Sequence, residues 1–169
     1  MSRIVSGSFN GISFLREIII SENVSTIESL VFSFNSFDRF IVEAGNLNYS
    51  SLDDVLFSFN QDTLVKFPER KGGNYSMPTT VTTIDSLAFE ITSLETLNIS
   101  EHVNEVGSLA FRGTYSLQNV VWLGDAPEVV PTEPTEQIYN GANSDIINWV
   151  QPGAEGWGDT FQGRPVQIL

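Results

Sequence analysis

The chain has one histidine, His102, and no cysteine. Disulfides, thiolate metal sites and cysteine nucleophiles are therefore excluded, and a single imidazole builds neither a His-Cys zinc set nor a recurring serine–histidine pair. His102 stands eight residues after Leu94, as Asn23 does after Leu15 and Asp125 does after Leu117, which places it in a column of polar turn residues. Gly7-Ser-Phe-Asn-Gly11 lacks the central Ser of a nucleophile elbow. Asp53, Asp54 and Asp62 are the carboxylates that a glycosidase would use, but adjacent Asp53 and Asp54 are expected to point to opposite sides of a strand. The same acids with Asn46, Asn48 and Asn60 offer oxygen ligands for Ca²⁺ near Asp53 and Asp62, without EF-hand spacing. Gly72-Gly73 lies beside Lys71 but outside a phosphate-cradling frame. Lys66, Arg70 and Lys71 make one basic cluster, expected as a solvated hairpin edge, with a contact to an acidic neighbour as the lesser reading. Asn23, Asn48, Asn74 and Asn98 open Asn-x-Ser sequons, which a chain this rich in Asn and Ser gives by chance. No catalytic residue, metal or cofactor is expected from these residues.

Composition narrows the partner. At 169 residues, 41% hydrophobic, the chain has material for one packed domain. It carries 21 acids against 8 bases, a net charge of −13, which repels nucleic acid and anionic membranes. No run of eighteen apolar residues spans a bilayer, and the first residues lack the basic head and apolar block of a secretory signal.

The elements that position any binding residue come from an internal repeat. Val24-Ser-Thr-Ile27-Glu-Ser29-Leu30-Val-Phe32, Val81-Thr-Thr-Ile84-Asp-Ser86-Leu87-Ala-Phe89 and Val103-Asn-Glu-Val106-Gly-Ser108-Leu109-Ala-Phe111 share one frame, and Met1, Ile4, Ser6 and Phe9 fit it with Gly7 in place of the Leu. After each Phe follows Leu15-x-x-Ile18-x-Ile20, Phe37-x-x-Phe40-x-Val42, Leu94-x-x-Leu97-x-Ile99 or Leu117-x-x-Val120-x-Trp122. The period is 23 residues from Phe9 to Phe32 and 22 from Phe89 to Phe111, in the leucine-rich repeat range. A lone alternating strand cannot bury its apolar side, so the copies must stack as a solenoid of parallel strands. The Ser before each Leu-x-Phe is expected to cap a short helical turn, with the Phe filling the space between coils.

Residues of about 45–70 break the period. Asp54–Phe57 and Thr63–Phe67 read as strands around Asn60-Gln61-Asp62, a β-hairpin insertion, and Tyr75 to Met77 as a degenerate solenoid strand. The expected division is a solenoid over 1–125 and, over 126–169, a connector with Pro127, Pro131 and Pro134 followed by a cap that covers the last coil with Trp149, Trp157 and Phe161. Residues 113–163 hold seven acids and no Lys or Arg.

With these words on the page the chain resembles the BspA-like leucine-rich repeat family of bacterial surface proteins. The matches are Val-x-x-Ile followed by Ala88-Phe89 or Ala110-Phe111, the Leu-x-x-Leu-x-Ile strands, and Tyr49-Ser-Ser-Leu-Asp53-Asp54-Val55-Leu56-Phe57, which is similar to the family's Tyr-Ser-x-Asp-Gly-Val-Leu-Phe hairpin with Asp54 in place of Gly. Gly156-Trp157-Gly158-Asp-Thr-Phe161-Gln-Gly163-Arg-Pro resembles a closing segment of bacterial members. The resemblance implies a solenoid used for adhesion or protein binding at a cell surface, and no enzymatic activity.

The outward strand positions are Glu17, Ile19, Arg39, Ile41, Asn74, Ser76, Thr96, Asn98, Asn119 and Val121. With neighbouring strands about 4.8 Å apart, five strands would give one continuous face of roughly 20 Å for a protein or glycan ligand. Ile19, Ile41 and Val121 are apolar where a solvated face is polar, although β-branched residues also simply suit strands. Met1, Ile4 and Phe9 fall in core columns at the chain start, so the first coil is expected to dock on more repeats or on another chain. Two function classes follow: an extracellular adhesion module, or a structural component of a larger assembly such as a virion, attached through that first coil or the acidic C-terminal segment.

Overall fold

The computed structural model describes residues 2–9, 12, 15–28, 30–33, 35–130 and 137–169; Met1, Ser29, Pro131 and Pro134, which figure in the expectations above, lie outside them. In chain order the strands are β1 (Ser2–Ile4), β2 (Glu17–Ile20), β3 (Val24–Ile27), β4 (Arg39–Val42), β5 (Tyr49–Leu52), β6 (Val55–Ser58), β7 (Thr63–Lys66) and β8 (Gly73–Ser76). They continue with β9 (Thr83–Ile84), β10 (Leu94–Ile99), β11 (Glu105–Gly107), β12 (Asn119–Trp122), β13 (Glu128–Val130), β14 (Ile147–Val150), β15 (Thr160–Phe161) and β16 (Arg164–Ile168).

The two halves of each repeat become two parallel ladders on opposite sides of a coil. The Leu-x-x-Leu-x-Ile halves give the pair β2-β4 and the run β8-β10-β12-β14-β16; the Val-x-x-Ile halves give β1-β3 and the run β7-β9-β11-β13. Equivalent positions of successive copies face each other, Ile18 with Phe40 and Leu97 with Val120. The stagger between paired strands is therefore the repeat period itself. Inward positions such as Ile20, Leu97, Ile99 and Val120 are fully buried, as alternation requires.

The Ser-Leu-x-Phe segment is not a helical turn. Among the described residues no helix occurs, and Leu30, Leu87 and Leu109 adopt φ of +65°, +60° and +56°. Backbone N–H groups here point along the stacking axis: Leu87 donates to Ser108 O at 3.1 Å, Phe89 to Ala110 O at 2.8 Å and Ile91 to Arg112 O at 2.8 Å. A helix would turn those donors inward on its own carbonyls, and the coil-to-coil bonds win. Two of the serines follow the same ladder, Ser108 Oγ donating to Ser86 Oγ at 3.3 Å.

Ring stacking records the repeat. Phe67, Phe89, Phe111 and Tyr139 form one file with centroids 5.3, 5.4 and 5.3 Å apart, and Phe9 stacks on Phe32 at 6.0 Å in a second. Phe67 takes the Phe position of a shortened copy, three residues after Leu64 where Phe89 follows Ile84 by five. Tyr139 takes it after β13.

Two core clusters result, and the hairpin is their seam. β5 and β6 pair antiparallel around a two-residue turn, Asp53-Asp54, with both φ positive at 49° and 69°, the geometry that matches strand twist. The two carboxylates are thus turn residues and do not alternate along a strand. β6 then pairs antiparallel with β7. Leu56 points into the cluster of Ile18, Phe32 and Phe40, while Val55 and Phe57 point into the cluster of Phe89, Leu97 and Phe111. Across the seam runs a buried ion pair. Lys66 Nζ lies 3.0 Å from Glu69 Oε1 and donates to Leu87 O at 3.1 Å, and Glu69 Oε2 accepts from the Phe37 N–H at 2.9 Å. Burial raises the Glu69 carboxyl pKa more than Lys66 and the Phe37 N–H lower it, so the seam disfavours the charged carboxylate despite its partners.

The basic cluster therefore divides. Lys66 is interior, and only Arg70 and Lys71 keep the expected hairpin-edge role, beside Asp38 and Asp54.

The tail continues the stack where a cap was expected. β13 pairs in parallel with β11, β14 with β12 and β16 with β14, so neither ladder ends at residue 125. Trp157 and Phe161 pack on Trp122 at 5.3 and 5.4 Å. Trp149 does not; it faces outward.

Candidate binding face

The outward positions of the Leu-x-x-Leu-x-Ile ladder fall into two strips, not one. Glu17, Ile19, Arg39 and Ile41 belong to β2-β4; Asn74, Ser76, Thr96, Asn98, Asn119 and Val121 belong to the run that starts at β8. The Asp53-Asp54 turn stands between them. Asp54 O accepts the Phe40 N–H at 2.9 Å, and Lys71, two residues before β8, pairs with Asp53 O and the Asp54 carboxylate. The expectation of a continuous face misses this because the turn interrupts the strand count.

The strips differ chemically. In the first, Glu17 and Arg39 form an ion pair across the two strands, and Ile19 is 57% exposed. In the second the aligned outward positions carry no charge, and Glu95 is exposed beside them at the bulge of β10. Register aligns Asn74, Thr96, Asn119 and Ile147 in one column, and Ser76, Asn98, Val121 and Trp149 in the next. Asn98 Nδ2 donates to Ser76 Oγ at 2.9 Å, and the Trp149 indole N–H donates to Asn119 Oδ1 at 2.8 Å.

Trp149 is held outward by the residue before it. Asn148 is fully buried; its Oδ1 accepts from Trp122 Nε1 at 2.9 Å and from the Tyr139 hydroxyl at 2.6 Å, while its Nδ2 reaches Pro165 O at 3.4 Å. Burial also raises the Tyr139 pKa far above the usual phenol value, so its hydroxyl remains a donor. With Asn148 fixed inward, alternation puts Ile147 and Trp149 on the outer face.

The sequence matches the family described as BspA type leucine rich repeat region, in six copies, over residues 1–63 and 69–128. The chain belongs to the BspA-type leucine-rich repeat family. No curated protein matches it. Two solved structures share the fold: the pneumococcal vaccine antigen PcpA, at TM-score 0.63 and 20% identity over 80% of this chain and 38% of that one, and a leucine-rich repeat protein from Eubacterium ventriosum, at 0.55 and 19% over 82% and 43%. The chain spans less than half the length of either structure.

Other residues singled out for chemistry are placed apart in this leucine-rich repeat. Asp53 and Asp62 lie beyond opposite ends of β6 and share no site. Asn46 is buried with its amide committed to Ser21 O and Val24 O and its oxygen to the Asn48 and Tyr49 N–H groups. Among the described residues no group of three or more acids and histidines is placed to hold a metal. His102 is exposed at a turn, 3.7 Å from Glu101. At the N-terminal coil Ile4 pairs with Ile27, and Ile4 and Phe9 pack on the first core cluster; Met1 is outside the described residues. A cleft of about 260 Å³ is lined by Glu28, Leu30, Phe32, Lys66, Asp85 and Glu90 among others.

Sequence reasoning did not find Ile147 and Trp149 on the face. They follow Asn119 and Val121 by 28 residues, off the 22–23 period, and three aromatics in a tail suggested a core lid. The alternation in Ile147-Asn148-Trp149-Val150 was the available signal.

Proposed function

We propose that this protein is a non-catalytic binding module which presents its strand face to a protein or glycan ligand in an extracellular or surface-exposed setting. The observation that carries this reading is the second strip: outward side chains aligned in register over successive coils, uncharged on a chain of net charge −13. Solenoids gain a broad contact surface from such repetition. Membership of the BspA-type family and the likeness to a pneumococcal vaccine antigen support a surface role. Decoration of a larger assembly would use the first coil or the acidic tail, and the half-buried Ile4 and Phe9 alone favour it less than the strip favours ligand binding.

The test is a substitution at the centre of the strip. Asn98→Arg places a long cation among uncharged neighbours and should abolish capture by whatever ligand a combined protein and glycan binding screen detects, while Glu95→Arg, beside the strip, should not. Binding unaffected by Asn98→Arg refutes the assignment of the face.

A further inference from the structure

We infer that the second strip is a site for an uncharged oligosaccharide, with Trp149 as the stacking platform and the amides of Asn98 and Asn119 as the hydroxyl-recognising groups. This rests on the binding reading above and narrows its ligand. Charge argues first. The molecule is strongly acidic, yet the side chains of the two aligned outward columns are neutral, with Glu95 exposed beside them at the bulge of β10, so the columns themselves offer a basic partner no ion pair and the surrounding field repels an acidic one. A neutral ligand rich in hydroxyls is the complement.

The polar groups are of the matching kind. Asn98 gives its Nδ2 to Ser76, which leaves its own oxygen and the Ser76 hydroxyl hydrogen turned outward as acceptor and donor side by side. Asn119 accepts the Trp149 indole N–H through its oxygen, which leaves its amide hydrogens to donate. That bond also tethers the indole. The partner of Trp149 in register is Val121, but its N–H reaches back two positions to Asn119, so the ring lies across the β12–β14 boundary. An aromatic fixed in this way offers an apolar surface at low entropic cost, suited to the C–H face of a pyranose. Asn98, Asn119 and Trp149 lie on three successive strands, β10, β12 and β14, about 4.8 Å apart from one strand to the next, so an extended glycan laid across the strands meets them in turn.

The experiment is an array of neutral β-linked oligosaccharides, including cellohexaose, chitohexaose and laminarihexaose, followed by calorimetric titration of those retained. Saturable binding to at least one is expected. Trp149→Ala should weaken it by at least about tenfold, the loss common for truncating an aromatic anchor, and Trp149→Phe should restore most of it. Asn119→Ala, which releases the tether and keeps the ring, should weaken it by a smaller factor and serves if Trp149→Ala does not fold. Absence of saturable binding across the array overturns the inference, as does binding indifferent to both Trp149→Ala and Asn119→Ala. If no oligosaccharide binds but a protein ligand is lost on Asn98→Arg, the glycan assignment falls and the binding-module reading stands.

Discussion

Phe89→Ala removes the middle of the longer ring file, and its effect can be worked from its neighbours. Phe89 is 0% exposed and stacks on Phe67 at 5.3 Å and on Phe111 at 5.4 Å, with interplanar angles of 30° and 26°. A buried Phe truncated to Ala loses about 3–5 kcal/mol from transfer and cavity together. Losing two ring contacts, each worth about 0.5–1.5 kcal/mol, puts this site at the upper end of that range. The backbone bond from Phe89 N–H to Ala110 O survives, so the cavity cannot close by separating the coils. Phe9→Ala is the internal comparison. Phe9 is half-buried at the edge of the other file, with one stack at 6.0 Å, and should lose about 1–2 kcal/mol, in proportion to the smaller area it buries. Urea unfolding followed by tryptophan emission reads Phe89→Ala, since Trp122 and Trp157 sit in its cluster, and far-UV circular dichroism reads Phe9→Ala, whose cluster holds no tryptophan among the described residues. With an m-value of about 2 kcal/mol/M the Phe89→Ala midpoint should fall by about 2 M. A loss below about 2 kcal/mol, or one equal to that of Phe9→Ala, would refute the argument that the rings form a shared interior file.

Further outcomes follow from other positions. Asp54→Gly should raise stability by about 0.5 kcal/mol, because relief of a left-handed residue outweighs the added chain entropy and an exposed contact to Lys71, as urea midpoints will show. Gly107→Ala should destabilise by about 1–3 kcal/mol or more, since the new Cβ would meet Ser86 N at 2.4 Å and only backbone movement could clear it; Gly153→Ala, with φ of +88° and open space around it, tests backbone strain without the clash. Burial holds the Glu69 pKa above its ordinary 4.5 against the opposing pull of Lys66. A raised folded-state value means that this contribution is fully present below the unfolded pKa and lost as pH rises through the folded one. Glu69→Gln should therefore show a flatter decline of stability with rising pH than the parent, measured by urea midpoints from pH 4 upward, and an unchanged slope would contradict the shift.

Most of the coil architecture was legible because each repeat writes its register twice. Val-x-x-Ile and Leu-x-x-Leu-x-Ile recur at 22 or 23 residues, and the paired strands are offset by that same spacing, as in Glu17 with Arg39 and Thr96 with Asn119. What escaped were departures from the period. Phe67 was hidden by a copy two residues short, and Tyr139 by a long one. The turn geometry failed for a different reason. Ser-Leu-x-Phe has the local chemistry of a helix start, but the N–H of Leu87 finds Ser108 O in the next coil, and local propensity cannot register a partner twenty-one residues away. Trp149 was misplaced because a large aromatic was taken as interior, when the buried residues of that strand are Asn148, with its four polar partners, and Val150.

The seam has a mechanical consequence. Hydrogen bonds in both ladders run along the stacking axis, so tension applied at the two ends loads them one coil at a time instead of all together. At the seam the strand ladder between β4 and β8 is replaced by two main-chain links, Phe40 N–H to Asp54 O and Arg70 N–H to Phe37 O, and by a charge pair that burial already disfavours. Stretched in an optical trap, the molecule should yield there first, as a short extension that leaves both aromatic files intact, before either half unravels.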